Sequence, residues 1–137
     1  MAATLGVVST RTAFLLLREA FYGAHRFEEF VQRTEVSEPV AAARLRELVE
    51  HGLMERVPYQ DPGQRTRSGY RLTQKGAQLF PALVALMDWG DRWAVEDGPR
   101  VGLRHSGCGQ SVHAVLRCDA KHDVEAEDLE LFLRPAG

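Results

Sequence analysis

Residues 26–52 read RFEEFVQRTEVSEPVAAARLRELVEHG, and the order of signals in this stretch decides the fold. Phe27, Phe30 and Val31 fall at i, i+3 and i+4, which predicts a short amphipathic helix over residues 26–33. Thr34-Glu35-Val36 interrupts that period and predicts a turn. Ser37 is a favoured N-cap, with Glu38 and Pro39 in the first turn behind it, where proline is tolerated. The helical period then runs to His51, and Gly52 is expected to end it. Its buried side is expected to carry Ala41 or Val40, with Leu45, Leu48 and Val49. A short helix, a tight turn and a second helix make a helix-turn-helix pair.

Towards the N-terminus, residues 2–8 fit one short helical turn. A longer helix is expected from Thr10 to Tyr22, with Phe14, Leu15, Leu17, Ala20 and Phe21 on a broad apolar face and Gly23 as its stop. Towards the C-terminus, Leu53–Tyr59 reads as a strand, Gln60–Gly69 as a loop and Tyr70–Leu72 as the returning strand. Together they form a β-hairpin with an arginine-bearing tip. Thr73 caps a last long helix from Gln74 to about Ala94, which Pro81 should kink or divide. The order of elements predicts a mainly α fold with a β-hairpin wing (α+β), a winged helix-turn-helix, over residues 1–95. Glu96-Asp97-Gly98-Pro99 reads as a linker. Residues 100–137 are expected to form a small β-rich C-terminal extension, with strands near Val101–His105, His113–Cys118 and Leu129–Leu133.

Bulk properties narrow the function. The 137 residues are 45% hydrophobic and 26% charged, which is ordinary globular composition. The net charge is −2, so any surface for a polyanion must be a local patch with acids segregated elsewhere. No apolar run is long enough to cross a bilayer, and the N-terminus lacks the pattern of a signal peptide, so a cytoplasmic protein without a membrane partner is expected. Two cysteines do not make a disulfide framework. There is no nucleophile elbow, HExxH, phosphate loop or carboxylate pair with a placed base, and the expectation is that the chain is not an enzyme.

Several separated segments resemble the HxlR-type family of bacterial transcriptional regulators. They are Leu15-Leu16-Leu17-Arg18-Glu19-Ala20-Phe21-Tyr22-Gly23 with Arg26-Phe27-Glu28-Glu29-Phe30, then Arg44-Leu45-Arg46-Glu47-Leu48, and Gly52-Leu53 with Glu55-Arg56-Val57-Pro58-Tyr59. Tyr70-Arg71-Leu72-Thr73 with Lys75-Gly76, and Met87-Asp88-Trp89-Gly90-Asp91-Arg92-Trp93, complete the match over roughly residues 4–94. The resemblance implies a homodimer that binds pseudo-palindromic double-stranded promoter DNA. The expected function is a sequence-specific DNA-binding regulator, a homodimeric repressor answering to a small-molecule effector. The alternative is an effector- or protein-binding module that kept the fold and lost sequence-specific binding. Ala42 and Ala43, which stand where the family presents polar residues, favour that alternative, as does the acidic balance.

The residues expected to carry DNA binding are Ser37, Pro39, Val40, Ala43 and Arg44 on the recognition helix, Arg65 and Arg67 on the wing, and Arg26 on phosphate. Of the helix residues only Arg44 is a strong donor, so shape-dominated readout is expected. Phe14, Phe21, Leu86, Trp89 and Trp93 add more apolar surface than a small domain should hide and are expected at the dimer interface. No cofactor is expected beyond a candidate zinc site. His105, Cys108, Cys118 and His122 read H-x2-C-x9-C-x3-H, either a rearranged set of four zinc ligands or a metal-free appendage.

Overall fold

The computed structural model describes residues 2–8, 10–94, 96 and 101–133. The linker expected at Glu96–Pro99 therefore lies outside the described residues, apart from Glu96. The chain divides into two compact units, Met1–Leu83 and Val84–Gly137.

The first unit opens with α1 (Ala2–Val8), two turns rather than one. Helix α2 spans Arg11–Phe21. Thr10 caps it by accepting a hydrogen bond on Oγ1 from Ala13 N at 3.1 Å, and Gly23 follows its end at φ +91°. Helix α3 (Phe27–Thr34) starts with the Glu29 carboxylate turned back on the chain, accepting from the backbone N–H of both His25 and Arg26 at 2.9 Å. Glu35 then takes the left-handed conformation, φ 55°, and turns the chain into α4 (Glu38–Glu50). Ser37 stands at the N-cap position of α4 but makes no side-chain capping bond, and Pro39 lies in the first turn. Strands β1 (Met54–Tyr59) and β2 (Arg67–Leu72) pair antiparallel, Met54 opposite Leu72 and Tyr59 opposite Arg67. Arg67 thus begins a strand, and the loop is shorter than expected, ending at Thr66. Cross-strand pairing to Tyr59 supplies the bonds that local sequence did not announce.

Pro81 divides the last helix as expected. Helix α5 is a short Gln74–Ala77, and α6 runs Phe80–Trp93 with the proline in its first turn, where a missing N–H costs nothing. Thr73 Oγ1 accepts from Gly76 N at 3.1 Å and donates to Gly52 O at 2.6 Å, joining the start of α5 to the end of α4.

Leu16 and Leu17 of α2, Phe30 of α3, Leu45 and Leu48 of α4, and Met54 and Tyr70 of the hairpin are buried in one cluster. Phe30 meets Tyr70 edge to face at 6.0 Å. On α4 the burial falls on Ala41, Leu45 and Leu48, which resolves the choice between Ala41 and Val40. Glu19 is buried among these apolar neighbours, and Arg18 at 2.7 Å and Arg33 at 4.0 Å neutralise it.

In the second unit, residues 101–133 hold two isolated antiparallel bridges, Arg104 with Ser111 and Arg117 with Asp123, and a 3-10 turn at Ala126–Asp128. These stand in place of the three extended strands expected there. Asp88 of α6 anchors the segment by accepting from Ala114 N at 2.9 Å. Arg117 donates to Asp123 at 2.6 Å, and this bond holds the Asp123 carboxyl below its usual range.

The Glu29 carboxyl is likewise held below the ordinary glutamate value, first by the bond from Arg26 N and then by that from His25 N. A group whose folded pKa is depressed stabilises the fold above its unfolded pKa and loses that contribution as pH falls through the folded one. Glu29→Ala is expected to cost about 1 kcal/mol at neutral pH, the ordinary worth of a helix cap. The gap from the parent protein should narrow as the medium is acidified below the glutamate range of about 4. Urea melts at several pH values measure it; a gap that stays constant with pH would show that the ionised carboxylate is not what stabilises α3.

Candidate nucleic-acid interface

Burial of Ala41, Leu45 and Leu48 leaves the opposite side of α4 open. Ser37, Glu38, Pro39, Val40 and Ala43 are exposed, and Arg44 is half-buried. The face is short in donors. Arg44 Nη1 is paired with Glu47, one turn on, so the strongest donor expected on this helix is partly neutralised by its own neighbour. Arg46 is exposed, and among the described residues no ion pair to it is found. Sequence reasoning passed over Arg46 as a site residue. The signal was available: Arg46 lies three residues from Ala43, and that spacing places both on one helical face.

The wing is built from its base upward. Arg26, at the start of α3, donates from Nη1 to Asp61 Oδ2 at 3.1 Å and from Nη2 to Asp61 Oδ1 at 2.5 Å. Its guanidinium also lies 4.9 Å from the centre of the Tyr59 ring. Asp61 holds the Arg26 guanidinium charged, with its pKa raised. This arginine therefore clamps the wing to the helix-turn-helix. Tyr70 N donates to His25 O at 2.7 Å and adds a backbone tie at the same place. Gly69 permits it, because a Cβ there would fall 2.6 Å from that same carbonyl oxygen.

At the tip, Arg65 is exposed, and Arg67 is exposed with its Nη1 3.5 Å from Glu28. Arg65, Thr66, Arg67 and Ser68 line an open groove of about 510 Å³. The unit thus offers two features for a duplex: a smooth, weakly polar helix face and a cationic wing tip braced at its base.

The residues expected at a dimer interface separate into two groups. Phe14 and Phe21 are half-buried and pack against the core, with Phe21 also 4.8 Å from the Phe80 ring. Leu86, Trp89 and Trp93 of α6 are exposed, the two tryptophans at 62% and 71%. Of the four expected metal ligands, His105 Nδ1 and Cys108 Sγ come within 3.3 Å. Cys118 and His122 sit together on the next turn, and both cysteines are free and exposed. Among the described residues no three of the His, Cys, Asp and Glu side chains gather around one point. No helix among them is long and apolar enough to cross a membrane.

The chain is 43% identical over 115 residues to an HTH-type transcriptional regulator of Mycobacterium tuberculosis, covering 83% of this chain and 72% of the relative. It is 28% identical over 91 residues to the HTH-type transcriptional regulator YdeP of Bacillus subtilis, covering 66% of this chain and 70% of that protein. Among solved structures, the candidate transcription factor PA1607 superposes with a TM-score of 0.81 at 37% identity, over 93% of this chain and 89% of that one. The candidate transcription factor PA1374 from Pseudomonas aeruginosa superposes at 0.69 with 30% identity, over 99% and 92%. The sequence profile of the HxlR-like helix-turn-helix family matches residues 7–98. On the helix-turn-helix, the braced wing and these likenesses together, the chain belongs to the HxlR-like helix-turn-helix family of transcriptional regulators.

Proposed function

We propose that this regulator binds double-stranded DNA in a sequence-dependent way as a cytoplasmic homodimer and acts as a repressor. The observation that carries the reading is the exposed face of α4, sealed to the core on its other side and flanked by a wing whose tip carries Arg65 and Arg67. Ser37, Pro39, Val40 and Ala43 would lie against base edges and thymine methyls in the major groove, with Arg44 and Arg46 reaching bases or phosphate. The wing arginines would run along the backbone or enter a narrow minor groove. Arg26 serves the DNA indirectly, by holding the wing in place. The exposed Leu86, Trp89 and Trp93 share one helical face by their i, i+3 and i+7 spacing and supply the surface for the second copy. A cleft of about 270 Å³ bordered by Val7, Val8, Leu53, Lys75 and Leu79 is the place for a small effector.

A gel-shift titration against the protein's own promoter, repeated at several salt concentrations, tests the reading. Binding should weaken steadily with salt. Arg65→Ala and Arg67→Ala should each weaken binding to all sequences alike and lower the salt slope by about 1. Arg46→Ala should instead change the ranking of operator variants if it reads a base. The alternative, a module that has lost DNA recognition, is favoured by the Arg44–Glu47 pairing and the alanines on α4. No binding near micromolar concentration at low salt would establish it.

A further inference from the structure

The turn at residues 105–110 is built to bring two side chains together. His105 N donates to Gln110 O at 2.9 Å and Gly109 N donates to His105 O at 2.7 Å, which closes the loop beneath the Arg104–Ser111 bridge. Gly109 turns the chain at φ +73°, directly behind Cys108. Gly107 leaves room for the imidazole: a Cβ there would lie 2.8 Å from His105 Cε1 and 3.4 Å from Nδ1. With that space open, the His105 ring folds inward and its Nδ1 stands 3.3 Å from Cys108 Sγ.

The next turn shows that this pairing is not automatic. Residues 118–122 make a related turn one residue shorter, with Cys118 N donating to His122 O at 3.0 Å and Lys121 N to Cys118 O at 2.8 Å, and with Lys121 at φ 68°. There Cys118 occupies the place of His105, but Ala120 stands before the left-handed residue, where the first turn has Cys108. The second turn keeps its histidine at the far end, His122, and has alanine where the first turn sets a thiol beside the ring.

The geometry points to His105 and Cys108 as a bidentate clip for a thiophilic divalent cation, zinc in the first place. Zinc bonds of about 2.3 Å to sulfur and about 2.05 Å to nitrogen that end on atoms 3.3 Å apart enclose an angle of about 100°, close to a tetrahedral corner. Imidazole with thiolate selects zinc over hard cations such as calcium or magnesium. His105 would bind through Nδ1 with its proton on Nε2. Cys108 would bind as thiolate, its proton passing to solvent. The clip supplies two corners of a tetrahedron; Cys118 of the same chain, or the same clip of a second copy, supplies more.

The test uses the full chain, stripped of metal with a chelator and titrated with cobalt(II) and then zinc(II). A thiolate-to-cobalt charge-transfer band should appear and be displaced by zinc. Cys108→Ser should abolish the band. His105→Ala should weaken binding by more than the roughly 10–100-fold that loss of an outer-shell partner costs. Gly107→Ala should weaken it about tenfold by pushing the ring off the thiol. Circular dichroism checks that each variant remains folded. One metal per chain, with affinity dependent on Cys118, places the next corner in the same chain. One metal per two chains, indifferent to Cys118→Ser, places it on a second copy. Either result supports the clip. A missing charge-transfer band overturns it, and so does cobalt binding that Cys108→Ser leaves unchanged.

Discussion

Phe30→Ala should lower the free energy of unfolding by about 4 kcal/mol, within the usual 3–5 for emptying a sealed aromatic site. Phe30 has no solvent exposure, and its ring meets Tyr70 edge to face. The truncation removes apolar burial, leaves a cavity between α3 and the hairpin, and forfeits an aromatic pair worth about 1 kcal/mol. The consequence reaches function, because α3 and β2 are the elements that set the wing beside the helix-turn-helix. Phe30→Leu conserves most of the volume and should cost less than about 1.5 kcal/mol. Urea denaturation followed by far-UV circular dichroism gives both values. A loss under about 1 kcal/mol for the alanine variant would mean that the core is not closed around this ring. The same pair separates packing from recognition: Phe30→Leu should keep its DNA affinity, and Phe30→Ala should lose it as the wing loosens.

Gly76→Ala should destabilise the protein by about 3 kcal/mol, although alanine ordinarily favours a helix over glycine by about 1 kcal/mol. A Cβ at position 76 would lie 2.0 Å from Leu53 O and 3.0 Å from Leu53 C. Both atoms are backbone and cannot rotate aside. Leu53 is itself fixed, its N–H on Leu48 O at 2.9 Å and its carbonyl accepting from Thr73 N at 3.1 Å. Relief therefore requires the Thr73 junction between the hairpin and α5 to open. Gly90, inside α6, provides the opposite control. A Cβ there meets nothing within 4 Å, so Gly90→Ala should raise stability by about 0.5–1 kcal/mol. Thermal melts of the two variants should move in opposite directions. A shift of the same sign in both would show that close approach at Leu53 is not the governing term.

The parts of the fold that local chemistry dictates were readable in advance. Thr73 caps where a hydroxyl before a helical period should, Gly23 and Gly52 turn at positive φ behind their helices, and Pro81 splits the last helix. The apolar period on α4 predicted Leu45 and Leu48 as core, but it could not choose between Ala41 and Val40, which differ by one position on the same turn. The candidate site was less legible. Arg26 read as a phosphate contact because it begins the helix-turn-helix, yet its partner Asp61 lies 35 residues away and only the folded hairpin brings it near. Arg67 read as loop, because a strand that opens on Arg-Ser-Gly has little propensity of its own and takes its order from Tyr59 across the ladder.

The sequence by itself determined the order and type of the elements of the winged helix-turn-helix, though not of residues 101–133, and membership in a family of transcriptional regulators. The elements follow from periodicity and capping, which act over a few residues and need no knowledge of the rest of the chain, whereas the family followed from the likeness of separated segments. Tertiary structure alone decided which arginines face outward and which glycine tolerates no side chain. Those outcomes depend on distances between segments far apart in the chain, and they arise only once burial of Leu16, Phe30 and Leu45 has drawn α2, α3 and α4 around one core.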